Sequence, residues 1–266
     1  MTFPHLAAID LALAYNSEHP VVEGLNLVIQ PGTITALVGP NGCGKSTLLR
    51  GFARILKPRS GSVELSGEPL ETMDTLAVAR KLGILPQRPV APEGVTVRQL
   101  VLLGRYPHQN WWQTSGTEDV HIADAAMRNA EVLEFADRLV VSLSGGQQQR
   151  AWIAMILAQQ SSVLLLDEPI TFLDMAHQLE VLDLLRKLNA EAGITIVLVL
   201  HDLNLAARYA GKMILMKDGR IAATGSPEEV MTKDLLLGVF SVRCHILQDP
   251  VTNRPFCIPI DIALPD

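Results

Sequence analysis

Thr33 to Val38 is a short, almost wholly apolar run, and Gly39-Pro40-Asn41-Gly42-Cys43-Gly44-Lys45-Ser46-Thr47 follows it directly. Such a run marks a strand buried on both faces, as in the middle of a parallel sheet. The residues after it match G-x-x-x-x-G-K-[ST], set between a strand and the start of a helix. Glycines at this spacing let the backbone curl so that its N–H groups converge on a phosphate. The helix that opens near Lys45 adds the positive end of its dipole. Lys45 supplies a point charge for β- and γ-phosphates, and Ser46 a hydroxyl for Mg²⁺. The competing reading is a glycine-rich strand-to-helix turn with an incidental lysine, against which the match of motif and flanks together counts.

A second apolar strand, Val163-Leu164-Leu165-Leu166, ends in Asp167-Glu168. Ligands of open α/β sheets sit at the carboxyl ends of strands. Asp167 there can hold Mg²⁺, directly or through its water, and Glu168 can accept a hydrogen bond from an attacking water. A third run, Ile194 to Leu200, ends at His201, and Gln87 follows Ile84-Leu85-Pro86. Taken singly, neither residue signals a function. Leu143-Ser144-Gly145-Gly146-Gln147 precedes a helical pattern from Gln148 to Gln160, with Ser144 a good N-cap. This is a second helix N-terminus open to an anion, with no second lysine near it.

The remaining pattern is α/β. Ala8 to Tyr15 and Leu25 to Ile29 alternate in period two, and Ser62 to Leu65 is a short strand. From about Thr96 to Ala136 the chain reads as helical, with Thr96 the N-cap. The aromatic stretch Tyr106-Pro107-His108-Gln109-Asn110-Trp111-Trp112 interrupts it. A further helix runs from about Met175 to Glu191. Strands alternating with helices predict a mainly parallel sheet, with the helical middle inserted. The last 35 or so residues are spaced by prolines and show only a short helix near Ser226 to Met231.

Composition bounds the partners. The 266 residues are 48% hydrophobic and 19% charged, as in a well-packed globular chain. With 22 Lys+Arg against 28 Asp+Glu the formal charge is -6, which argues against nucleic acid as the main partner. The three cysteines, Cys43, Cys244 and Cys257, have neither disulfide-framework nor zinc spacing, so a reducing compartment is expected. No signal peptide and no membrane-length apolar run is seen, so any membrane role is expected to come through a partner.

Gly39 to Thr47, Leu143 to Gln147 and Val163 to Pro169, in this order, resemble the ATP-binding subunit of an ABC (ATP-binding cassette) transporter, over nearly all of the chain to about residue 230. The resemblance implies a P-loop NTPase cassette with a RecA-like core sheet, an antiparallel β subdomain and a helical subdomain inserted at about 90–160. Residues 231–266 are then a C-terminal extension. It implies ATP and Mg²⁺ as ligands and a head-to-tail pair of cassettes, in which Ser144, Gly145, Gly146 and Gln147 close over the ATP of the other copy. Tyr15 resembles the aromatic that stacks on adenine, the alternative being a core tyrosine. Gln87 resembles the glutamine that touches Mg²⁺ and the water, Glu168 the catalytic base, and His201 the switch histidine on the γ-phosphate. Leu173-Asp174 resembles the loop that reaches across the dimer. Ile170 departs from the family, where threonine is common after the proline.

Leu103 to His108, Arg150 to Met155 and Thr171 to Gln178 narrow the resemblance to importers of ferric siderophores, haem and vitamin B12, the siderophore branch above all. Integral permease subunits and, indirectly, a substrate-binding protein are then the implied partners, at the cytoplasmic face of the plasma membrane. The exposed aromatics after Gln87 fit a partner surface, or else a local packing cluster. Other readings stay open: haem, vitamin B12 or another chelate as cargo, a soluble ABC ATPase, a small-molecule kinase, or an ATP-binding module without turnover. Alkylation of Cys43, inside the phosphate loop, is expected to block ATP binding.

Overall fold

The computed structural model describes residues 5–16, 19–109 and 116–263. Asn110, Trp111 and Trp112 of the aromatic stretch lie outside the described residues. In chain order the elements are β1 (Leu6–Leu13), β2 (Val22–Ile29), β3 (Ile34–Val38), α1 (Lys45–Phe52), β4 (Ser60–Leu65), β5 (Glu68–Pro69), α2 (Thr75–Lys81), β6 (Leu82–Leu85), α3 (Val97–Leu103), α4 (Thr117–Asn129), α5 (Gly145–Ala158), β7 (Val163–Leu166), α6 (Met175–Ala192), β8 (Thr195–Val199), α7 (Leu203–Tyr209), β9 (Lys212–Lys217), β10 (Arg220–Gly225), α8 (Pro227–Val230), α9 (Lys233–Phe240), β11 (Val242–Gln248) and β12 (Pro255–Ile262). They fall into two compact units. One holds Met1–Thr72 with Thr195–Asp266, the other Met73–Ile194.

In the first unit β3 lies between β8 and β9, parallel to both, and β10 adds antiparallel to β9. All five residues of β3 and of β8 are buried, the reason both read as continuous apolar runs. Ile34 pairs with Ile196 and Leu37 with Val199, so the two strands end level. The phosphate loop and His201 therefore leave the same edge. A separate antiparallel sheet has the order β2-β1-β4-β5. An irregularity in the β1–β2 pairing between Ala8 and Leu11 lets these two residues, three apart, both be buried, against strict alternation. Gly51 of α1 sits where a Cβ would come within 2.6 Å of Leu13 Cδ1. Phe52, fully buried at the end of the same helix, contributes about 2–3 kcal/mol by its burial.

The second unit carries β6 parallel to β7, with Leu82 opposite Val163 and Leu85 opposite Leu166. Its helices α3, α4 and α5 bury Leu100 and Val101, Ala126 and Met127, and Ala151 and Ala154. Thr96 caps α3 as expected, in a capping box with Gln99. The long helical stretch is broken after Leu103. A Cβ at Gly104 would lie 2.0 Å from the Met155 carbonyl oxygen, so only glycine permits this approach to α5. Arg105 then turns inward to Asp119 and to the last turn of α5.

The tail differs from its sequence reading. Beyond the short helix capped by Ser226 it holds α9 and the hairpin β11–β12. Two of the prolines that suggest an unstructured tail, Pro255 and Pro259, sit in β12, an edge strand, where a missing N–H is tolerated. Asn204 fastens this hairpin. Its Nδ2 donates to the Cys257 carbonyl at 3.1 Å and its Oδ1 accepts the Cys257 N–H at 2.7 Å.

Candidate nucleotide-binding site

In the first unit the loop from Gly39 to Gly44 crosses from β3 to α1. A Cβ at Gly39 would meet the Met216 carbonyl oxygen at 2.2 Å, and Gly44 has φ 102, so both positions require glycine. Among the described residues no side chain caps α1. A helix start without a side-chain cap is the kind of terminus that suits an anion. Lys45 is buried, and its ammonium donates to the carbonyls of Gly39 at 2.8 Å and Pro40 at 2.9 Å. A buried cation needs such partners, and the loop's own carbonyls hold it at the mouth of α1. Ser46 and Thr47 begin the helix. Pro40, Asn41 and Gly42 form the accessible rim of the loop.

Tyr15 is 57% exposed, which excludes the core-tyrosine reading. Arg50 Nη1 donates to its hydroxyl at 3.1 Å, and that hydroxyl lies 3.4 Å from Thr47 Oγ1. The ring is thus tied to α1 with a face to solvent. His201 is exposed two residues beyond β8, whose neighbour Leu200 donates its N–H to Leu37.

Cys43 packs against Gly39 and is buried. Burial pushes its thiol above the ordinary value, and the Lys45 ammonium offsets only part of this. Because the thiolate is the nucleophile, Cys43 should react with iodoacetamide far more slowly at neutral pH than a free cysteine, and faster as the pH rises. Once modified it should lose ATP binding, because the adduct has no space beside Gly39. Mass spectrometry of the labelled peptide, followed by a nucleotide titration, checks both. Labelling of the folded chain as fast as the denatured one would contradict the burial argument.

In the second unit Gln87 and Glu168 meet beyond the ends of β6 and β7. Gln87 Nε2 donates to Glu168 Oε2 at 2.6 Å, and Thr171 Oγ1 donates to the same oxygen at 3.0 Å. Glu168 has φ 53 and Phe172 φ 69. Left-handed residues of this kind cost about 1–3 kcal/mol each and persist where neighbours fix them. Asp167 is buried, and its N–H bonds to Leu85. Within this unit the Asp167 carboxylate and the Gln87 amide oxygen are both hard oxygen donors, of the kind that suits Mg²⁺. Gln87 gives its amide nitrogen to Glu168, so its oxygen is the atom available to a cation.

The other predicted residues of this unit gather at two helix starts. Ser144 caps α5 in a capping box with Gln147, with Gly145 and Gly146 as the first two helical residues. Asp174 caps α6, accepting the His177 N–H at 3.0 Å and His177 Nδ1–H at 2.7 Å. These bonds hold the Asp174 carboxyl below its usual range. Sequence reasoning missed the partners of Glu168 and Asp174: Thr171 and His177 each lie three residues beyond the carboxylate they serve, the spacing of a turn or cap.

A phosphate loop after a buried parallel strand, with an acidic strand end elsewhere in the chain, defines a P-loop nucleotide-binding protein. The sequence profile of the family described as "ABC transporter" matches residues 22–171. The chain belongs to the ABC transporter family, and its fold is that of the cassette, with a mixed core sheet, an antiparallel sheet and a helical region. It is 54% identical to the probable siderophore transport system ATP-binding protein YusV of Bacillus subtilis, over 94% of this chain and 90% of that one. It is 52% identical to the achromobactin transport ATP-binding protein CbrD of Dickeya dadantii, over 94% and 93%. Among solved structures, an inward-facing ABC transporter assigned to the metal-chelate type matches with TM-score 0.84 at 29% identity, over 97% and 98% of the two chains. The dimeric cassette MJ0796, in a post-hydrolysis state with ADP and Pi, matches with TM-score 0.72 at 30% identity, over 83% and 98%. Cassettes of this family dimerise and serve permeases in transporter complexes. Among the described residues no helix is long and apolar enough to cross a membrane.

Proposed function

We propose that this chain is the ATP-hydrolysing subunit that energises import of an iron(III)-siderophore complex. The observation that carries the reading is identity above 50% over more than nine-tenths of the chain to cassettes named for siderophore and achromobactin transport. It acts as a head-to-tail pair on integral permease subunits at the cytoplasmic face of the membrane, fed indirectly by a substrate-binding protein. Residues to about 230 form the nucleotide-binding domain and 231–266 an extension.

Each residue has a task that its surroundings favour. The ring of Tyr15 receives the adenine. Loop amides from Gly39 to Thr47 and the start of α1 hold the phosphates, while Lys45 exchanges its carbonyl partners for β- and γ-oxygens. Ser46, Asp167 and Gln87 would hold Mg²⁺, which, when bound, neutralises charge on the β- and γ-phosphates. Glu168, fixed by Gln87 and Thr171, orients the attacking water and takes its proton. His201 donates to the γ-phosphate. Ser144 to Gln147 and Asp174 of one copy complete the site of the other, so hydrolysis requires closure.

The test is uptake. Cells carrying Glu168→Gln, starved of iron, should lose import of a labelled ferric siderophore and keep that of labelled vitamin B12. Loss of vitamin B12 import alone would move the cargo to another chelate. No change in either would overturn the reading.

A further inference from the structure

The segment Thr171 to Gln178 contains two polar residues that the function above leaves unused, His177 and Gln178. His177 lies in the first turn of α6, half-buried, and reaches two places at once. On one side its ring covers Gly146, where an added Cβ would come within 2.4 Å of Cδ2 and 2.7 Å of Cγ. On the other side its Nδ1–H donates to Asp174 Oδ1 at 2.7 Å. Gln178 Nε2 donates to the Leu173 carbonyl at 3.1 Å, holding the same loop from behind. One turn further along both helices, Arg150 Nη1 of α5 pairs with Glu180 Oε2 of α6 at 3.2 Å. A Cβ at Gly145 would lie 3.6 Å from Leu173 Cδ2, ordinary contact, so the tight approach is confined to Gly146 and His177.

We propose that His177 is a positioning residue that locks the Asp174 loop to the glycine face of α5, so that the two segments move as one body. The inference rests on the function proposed above, in which both segments meet the nucleotide held by the opposite copy. It gives Gly146 a second reason to be glycine. A side chain there would obstruct the anion-binding amides and would also expel the His177 ring. It also explains why Asp174 caps its own helix. The carboxylate acts as an anchor for His177, and the loop it anchors presents its other atoms outward.

The experiment measures ATP-driven dimerisation in a Glu168→Gln background, where hydrolysis does not dissolve the product. Sedimentation with and without MgATP reads the dimer, and a fluorescent nucleotide reads single-site affinity. His177→Ala should weaken the dimer at least about tenfold, since small misplacements of positioned groups cost up to about a hundredfold. Its single-site affinity should equal that of the parent, because the phosphate loop and Tyr15 belong to other segments. His177→Asn places an amide nitrogen where Nδ1 stands and should recover most of the dimer. A His177→Ala chain that dimerises like the parent would overturn the inference, as would equal losses in His177→Ala and His177→Asn. A loss of single-site affinity would overturn it too, pointing to general disruption. If the Glu168→Gln parent itself formed no dimer with MgATP, the nucleotide-sandwich reading would fall first, and this inference with it.

Discussion

Glu168→Gln should lower steady-state phosphate release by about 10²- to 10⁴-fold, the range for a lost general base, and leave ATP affinity unchanged. The structure explains why the second half should hold. Glu168 Oε2 accepts from Gln87 Nε2 and from Thr171 Oγ1. A glutamine that presents its amide oxygen in that place serves both donors, so the left-handed turn at residue 168 keeps its supports. The negative charge and the basic electron pair of the other oxygen are removed. A phosphate-release assay beside a nucleotide titration separates the effects. Near-wild-type turnover would remove Glu168 from the role of base, and a lost affinity would mean that its carboxylate is structural. Thr171→Val provides a graded comparison. It takes one donor from the carboxylate and should lower turnover less than Glu168→Gln does.

The second large effect concerns stability. Arg105→Met should destabilise the folded chain by about 1–3 kcal/mol, the usual cost of leaving buried hydrogen-bond partners unsatisfied. Arg105 is 5% exposed. It donates to Asp119 Oδ1, to the Ala158 carbonyl and to Gln160 Oε1, each at 2.8 Å. Methionine fills the stem but leaves these acceptors to find new donors. For a domain stable by about 5–15 kcal/mol the loss is a large fraction, and a urea titration followed by circular dichroism will read it. The pH dependence follows from Asp119. The Arg105 guanidinium holds its carboxyl below the ordinary 3.8. A group with a lowered folded value gives stability that is present above pH 3.8 and is lost as the pH falls through that lowered value. The gap between wild type and Arg105→Met should therefore be widest near neutrality and close in acid. A gap independent of pH would mean that packing, not the ion pair, carries the cost. Arg105 also precedes the short turn Tyr106–His108, where Arg80 Nε donates to the Pro107 carbonyl and His108 Nε2 meets the Gln159 carbonyl. Tyr106 is 73% exposed on this turn.

The glycine loop, the cap of α5 and the buried strands were legible in the sequence because each depends on residues with few substitutes. Gly39 and Gly44 occupy backbone positions that a Cβ would spoil, Ser144 with Gln147 forms a capping box, and the buried strands announce themselves by continuous apolar runs. Other parts were silent for equally physical reasons. Thr171 acts through a side chain that reaches back three residues, and the same residue in any turn would look alike. His177 works by lying on a glycine of another helix, a relation that spacing cannot encode. The strands β9 and β10 carried a signal that could have been used, Asp218-Gly219 between two runs, with both residues at positive φ. The terminal hairpin hid behind its prolines and its solvent-facing isoleucines, because an edge strand with one wet face lacks the apolar continuity of a core strand.

The attachment of that hairpin bears on how the tail can evolve. Asn204 grips the main chain of residue 257 and ignores its side chain. Substitutions along β12 therefore accumulate without unfastening it, whereas a one-residue insertion or deletion ahead of position 257 would shift the pleat and carry the gripped peptide out of reach. Descendants of this chain should thus diversify the hairpin's surface while keeping its register, and Asn204 should be slower to change than any residue it holds.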